Sequence, residues 1–225
     1  MTHVHSSVSR RVMLGGLGAG AMALAAAESA TAAPLTGAPS GPKRWTGARS
    51  ENGWLIGGKT RELPIEGTQF SVTLAVGPTA ALLQHAARRI NYELDTLRAG
   101  DITGVTSDRV VASPQRSNLL SGTAIHFRPG FFPHGTSGNL FPAEVVVIED
   151  IVAESGGVLA WGGHLEVPDQ GLIYVSGSAG TRAVDMLTED FSEADRMDSA
   201  GGAGAIDAHD PSRRNVARRH RERVS

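Results

Sequence analysis

The segment Ser117-Asn118-Leu119-Leu120-Ser121-Gly122-Thr123-Ala124-Ile125-His126, followed well downstream by Asp169-Gln170-Gly171-Leu172, carries more information than any other part of this chain. Thr123 to Phe127 is predicted as a short strand, and Leu172 to Val175 as another, each a brief apolar run rich in β-branched residues. Upstream, Phe70 to Val76 is a third strand that stops at Gly77-Pro78. Pro78 suits the first turn of a helix. From there Leu82, Ala86, Ile90, Leu94 and Leu97 recur at helical spacing, with Arg88, Arg89 and Glu93 on other faces and a stop near Gly100. Arg109 to Ala112 is another short strand. Pro142 to Glu154 is predicted as a second helix with Val145, Ile148, Ile151 and Val152 on its buried stripe and Gly156-Gly157 as its stop. Val158 to Trp161 makes one more strand, joined to Leu172–Val175 across Gly162-Gly163-His164. Strands and helices are mixed without a βαβ rhythm, so the expected class is α+β, a small and mostly antiparallel sheet with helices packed on one side.

The two ends read differently from this core. Ser9-Arg10-Arg11-Val12-Met13-Leu14 sets paired arginines before a weakly apolar run to Ala27, and Ala30-Thr31-Ala32-Ala33 is a small-residue cleavage site. That is the pattern of a twin-arginine signal peptide over residues 1–33, and it predicts an exported protein. The run is shorter than the roughly 20 residues that span a bilayer, so no transmembrane segment is expected in the mature chain. Residues 34–49, rich in Pro, Gly and Ser, read as a mobile linker. Residues 183–225 read as a disordered tail, acidic from Asp185 to Asp198 and then basic from Arg213 to Arg223. Its basic end could touch anionic wall polymer or lipid head groups.

Composition narrows the chemistry. The 225 residues carry a net charge of −2, which argues against a broad nucleic-acid face. There is no cysteine, so disulfides, thiolate catalysis and Cys-type zinc sites are excluded, and a metal would need His, Asp or Glu.

Over about residues 50–176 the chain resembles the zinc D-alanyl-D-alanine carboxypeptidases and dipeptidases, whose fold is shared with the Hedgehog signalling domain. The family pattern is Ser-x-His-x-x-Gly-x-Ala-x-Asp followed later by Glu/Asp-x-x-His, and Ser117, Gly122, Ala124 and Asp169 match its letters. Ser50-Glu51-Asn52-Gly53-Trp54, Pro64-Ile65-Glu66-Gly67 and Trp161-Gly162-Gly163 add to the likeness. The resemblance implies a zinc peptidase of peptidoglycan stem peptides, with two His and one Asp on the metal, a carboxylate base and an arginine clamp for the substrate. Here the ligand positions hold Leu119, His126 and Leu172. Asp169 occupies the base position, and Arg109, with Arg116 as rival, the clamp.

A catalytic zinc takes three protein ligands and activates a bound water. Leucine has no lone pair, so Leu119 and Leu172 cannot ligate. The expectation is therefore an exported pseudo-peptidase with no metal, which binds cell-wall peptide or an envelope protein. The alternative is an active zinc enzyme whose ligands have moved to His126, His164 and Asp169. His134 is a loop residue with a weaker claim, and a Ser/His/Asp triad built from Ser117 or Ser121 with His126 is a remote third possibility.

Overall fold

The computed structural model describes residues 41–177 and 206–224. The expected signal peptide, the first part of the expected linker and the acidic stretch Asp185–Asp198 lie outside the described residues.

The strands are β1 (Lys43–Arg44), β2 (Thr60–Pro64), β3 (Ser71–Ala75), β4 (Ile102–Thr103), β5 (Val110–Val111), β6 (Ala124–Phe127), β7 (Leu159–Trp161) and β8 (Leu172–Val175). The helices are α1 (Pro78–Arg89), α2 (Pro142–Glu154) and α3 (Pro211–Val224). Four strands form an antiparallel sheet in the order β4-β6-β8-β7, and β1–β5 and β2–β3 form two antiparallel ribbons. The class is α+β. No helix among the described residues is long and apolar enough to cross a membrane.

Side chains alternate across a strand, and here the alternation sorts the whole molecule. Ile125, Phe127, Ile173, Val175, Leu159 and Trp161 point to one face and join a single buried cluster with Leu82, Leu83, Ala86 and Ile90 of the first helical segment and Ile148, Ile151 and Val152 of α2. The opposite face carries Ala124, His126, Leu172 and Tyr174, with Ala124 opposite Tyr174 and His126 opposite Leu172 in the β6–β8 register. A one-residue slip would exchange the two sets.

Several expectations need correction. The first helix does not run to Gly100: α1 ends at Arg89 and continues as a π turn, Ile90–Leu94. The chain leaves the helix where the Asp95 amide donates to the Ile90 carbonyl at 3.1 Å and Asn91 Oδ1 accepts the Leu97 amide at 2.9 Å. Arg89 is fully buried rather than solvent-facing, donating to both Glu93 oxygens at 2.8 and 2.5 Å, to Asp150 Oδ2 at 2.8 Å and to Glu154 Oε2 at 2.7 Å. Residues 41–49, expected to belong to a mobile linker, contain β1, which pairs with Val110 and Val111. Strands β2 and β4 were not expected from the sequence. Val145, placed on the buried stripe of α2, is only half-buried.

The basic end of the expected disordered tail is helix α3, packed on α2. Its polar composition hides a narrow contact stripe, Arg213, Ala217 and His220 at helical spacing. Arg213 donates to Asp150 Oδ1 at 2.9 Å and to Asp150 Oδ2 at 2.7 Å, and Arg221 to Glu149 Oε1 at 2.8 Å. Two guanidiniums, Arg89 and Arg213, thus face three carboxylates, Glu93, Asp150 and Glu154, between the helices.

Removing one partner of a buried ion pair costs about 3–5 kcal/mol, because a charge is left uncompensated, while an exposed pair is worth about 1 kcal/mol or less. In urea unfolding, Arg89→Met should therefore cost about 3–5 kcal/mol, and Arg213→Met, on a part-exposed side chain, distinctly less. Burial alone would push the Glu154 carboxyl up, but the His85 hydrogen bond and the Arg89 charge hold it down at about 2. Its folded value lies below its unfolded one, so its stabilisation is complete above the ordinary Glu range and is lost as pH falls toward 2. A pH series of urea midpoints should show this loss below about pH 4.5.

Candidate functional site

The site is built where the face of the sheet turned away from α1 and α2 meets two turns. The first turn is the 3-10 segment Gln115–Leu119 with the bend to Thr123. Gly122 sits there at φ 71°, and a Cβ on it would lie 2.6 Å from the Ala75 nitrogen, so only glycine fits. A buried polar lattice holds this bend against residues 50–54. Ser117 Oγ accepts the Glu51 amide at 2.8 Å, and Asn118 Oδ1 accepts the Asn52 amide at 3.1 Å. Asn52 Nδ2 donates to Thr123 Oγ1 at 2.9 Å and to the Val175 carbonyl at 3.0 Å. Ser121 Oγ lies 2.8 Å from both Ser50 Oγ and Thr123 Oγ1.

The second turn is Asp169-Gln170-Gly171 at the entry to β8. Its backbone is fixed by the Asp169 amide donating to the Gly162 carbonyl at 2.9 Å and by Trp161 Nε1 donating to the Gln170 carbonyl at 2.8 Å. A Cβ on Gly171 would come within 2.6 Å of the Phe127 carbonyl oxygen and 2.9 Å of the His126 ring, so the glycine lets the turn close onto the imidazole.

Between these turns lies Asp169, 0% exposed, beside His126 at 2%. Arg116 grips the carboxylate side-on with one edge of its guanidinium, Nε to Oδ2 at 2.5 Å and Nη2 to Oδ1 at 3.1 Å. His126 Nε2 stands 2.9 Å from Asp169 Oδ1 and 2.9 Å from Arg116 Nη2. One ring nitrogen cannot both donate to the carboxylate and accept from the guanidinium. With Asp169 ionised, Nε2–H donating to Oδ1 is the stable arrangement, since a bare nitrogen would set its lone pair against the carboxylate. Burial pushes the Asp169 pKa up, and the hydrogen bonds from His126 and Arg116 outweigh it, holding the group below the usual carboxylate value. The acid is a permanent anion, neutralised by Arg116.

The packing around this cluster is apolar. Leu119, Ala124, Leu172 and Tyr174 form a small buried group with Ala160 packed against it. Burial, together with the Glu51 charge, pushes the Tyr174 phenol up to about 12, so it stays protonated.

The four positions singled out in the sequence, Leu119, His126, Asp169 and Leu172, therefore come together on one face of the sheet. Other expectations fail. Arg109 does not serve this cluster: its Nη1 is spent on the carbonyls of Trp45 at 3.2 Å and Gly47 at 3.1 Å, and Arg116 is the arginine that meets Asp169. The relocated set His126, His164 and Asp169 is not assembled. His164 packs edge-on against Trp161 and reaches Glu149 Oε1 of α2 at 3.5 Å, while His126 points to the opposite face of the sheet. Nor is there a serine triad, because Ser117 and Ser121 belong to the polar lattice.

His134 was undervalued in the sequence. Arg128 turns left-handed at φ 45°, and the loop beyond it is tied back by the Gly135 amide donating to the Pro168 carbonyl at 2.7 Å. His134 thereby enters the fields of Asp169, Arg116 and His126, with its Nε2 buried and unpartnered among the described residues. Burial, against the pull of Asp169, pushes its pKa below the usual imidazole value. No periodicity or motif in Pro133-His134-Gly135 signals this.

These residues do not fit a zinc ion. Of the three ligand positions only His126 carries nitrogen lone pairs, and its Nε2 is engaged with Asp169 and Arg116. Among the described residues no three His, Asp or Glu side chains gather closely enough to hold a metal. Comparison with known proteins adds no relative, since no family model, curated protein or solved structure matches the chain.

Arg116→Met should strand a buried anion and cost about 3 kcal/mol in urea unfolding. Asp169→Asn in the same chain should recover part of that loss, giving a coupling energy of more than about 1 kcal/mol in the double-mutant cycle. Additive effects would show that the two groups do not act as a pair.

Proposed function

We propose that this chain is an exported, non-hydrolytic peptidase-like domain that acts by binding the carboxyl-terminal end of a cell-wall stem peptide. The observation that carries the proposal is the closed Arg116–Asp169–His126 cluster flanked by Leu119 and Leu172. A general base must be able to take up a proton near the operating pH. Asp169 is ionised, but both of its oxygens are occupied by Arg116 and His126, so neither is free to take a proton from a water. Leu119 and Leu172 beside it supply no lone pair to a metal that could activate a water for it.

The same cluster keeps a binding function within reach. Arg116 uses Nε and Nη2 on Asp169, and no partner is seen for Nη1 among the described residues, on a side chain that remains 25% exposed. That edge can donate two hydrogen bonds to a carboxylate or carbonyl of a ligand. Leu119, Leu172 and Tyr174, themselves buried, give the cluster a dry apolar flank that would strengthen such a charge-assisted contact. The chain segment just ahead of Arg116 borders a cavity of about 350 Å³, lined by Trp45, Val111, Ser113 and Pro114, that could take the rest of the peptide. Export by the twin-arginine route, expected from residues 1–33, would bring the domain to such a ligand.

The test is calorimetry with a stem peptide ending in D-alanyl-D-alanine, followed by mass spectrometry of the recovered ligand. Saturable binding with the peptide recovered intact is the expected result, and amidation of its terminal carboxylate should weaken binding by about tenfold, the loss of one charge-assisted contact. Release of D-alanine, or no binding at all, would refute the proposal.

A further inference from the structure

A second surface lies far in sequence from Asp169 and does not depend on it. Helices α2 and α3 leave between them a groove of about 620 Å³. Val145, Val146 and Ala217 give it an apolar lining, and Arg214, Arg218 and Arg221 stand along its α3 side at helical spacings of four and three residues. At the start of α2, beside the groove residue Pro142, the Phe141 ring is 74% exposed. Arg221 already holds a carboxylate there, Glu149 Oε1 at 2.8 Å. Arg218 has only the Asn215 amide oxygen at 2.9 Å, and the Arg214 side chain has no partner among the described residues. Two guanidiniums thus overlook apolar surface with no acidic partner among the described residues.

We infer that the α2–α3 groove is a docking site for an acidic peptide segment of a partner protein, one that interleaves carboxylates with apolar side chains. The charge is complementary, and arginine forks bind carboxylates through two bonds each. The spacing also matches. Arg214 and Arg218 are one helical turn apart, about 6 Å along the axis, and alternate residues of an extended peptide repeat at about 7 Å on one face. The shape decides between a peptide and an anionic bilayer. A trench between two helices accepts a single chain, whereas a lipid surface would rest on the ridges and leave Val145 and Val146 uncovered.

The probe is a short fluorescein-labelled peptide of Glu-Leu-Glu-Ser repeats, titrated into the full chain, with its Gln-for-Glu counterpart and phosphatidylglycerol vesicles run in parallel. The acidic peptide should bind and shift the methyl resonances of Val145 and Val146. Arg214→Gln/Arg218→Gln, two exposed positions whose replacement leaves the fold intact by circular dichroism, should weaken binding by about tenfold. Equal binding of the Gln peptide, unchanged affinity in the double variant, tighter binding to the vesicles, or no binding of the acidic peptide would each overturn the assignment.

Discussion

A carboxylate removed from water must be answered by charge and hydrogen bonds or give up its ionisation. Asp169 meets that condition inside the protein, through the fork of Arg116 and the ring of His126. Much of the local architecture follows from it. The 3-10 turn Gln115–Leu119 places Arg116, the β6–β8 register places His126 beside Leu172, and Gly171 lets the Asp169 turn approach the imidazole. The turn that carries Arg116 is in turn anchored by the polar lattice from Ser50 and Asn52 to Ser121 and Thr123.

The molecule uses the same device twice, on opposite faces of one sheet. Behind the sheet, Arg89 is buried among Glu93, Asp150 and Glu154, and Arg213 completes the set from α3. That cluster joins three helical elements. The Asp169 cluster joins two turns and a strand. The first is structural in position and in composition. The second lies on the other face of the sheet, with its charges paired internally between Arg116, Asp169 and His126.

The sheet and its two faces were legible because short apolar runs and the alternation around Thr123–Phe127 and Leu172–Val175 record them directly. The grouping of Leu119, His126, Asp169 and Leu172 was an expectation of the family resemblance alone, not of periodicity or composition. What remained hidden depends on contacts between distant residues. Arg89 and Glu93 look solvent-facing in a helical wheel, and nothing local says that Asp150 and Glu154 will cover them. Helix α3 has too polar a sequence to announce a packed face, since its contact stripe is two charged or titratable residues and one alanine. The choice between Arg109 and Arg116 turned on whether Arg109 would be consumed by the backbone of Trp45 and Gly47, a consequence of β1 pairing with β5 that the Pro- and Gly-rich composition of residues 34–49 concealed.

The proposed function holds that this frame carries no metal because leucine, which has no lone pair, stands at two of the positions where the resembled family has imidazole. The most direct test is the zinc content, by elemental analysis, of the purified chain beside that of Leu119→His/Leu172→His, which would present three imidazoles with His126. The account predicts only trace zinc in the natural sequence and close to one zinc per chain in the double variant. One zinc per chain in the natural sequence, or none in the variant despite a native circular dichroism spectrum, would contradict it.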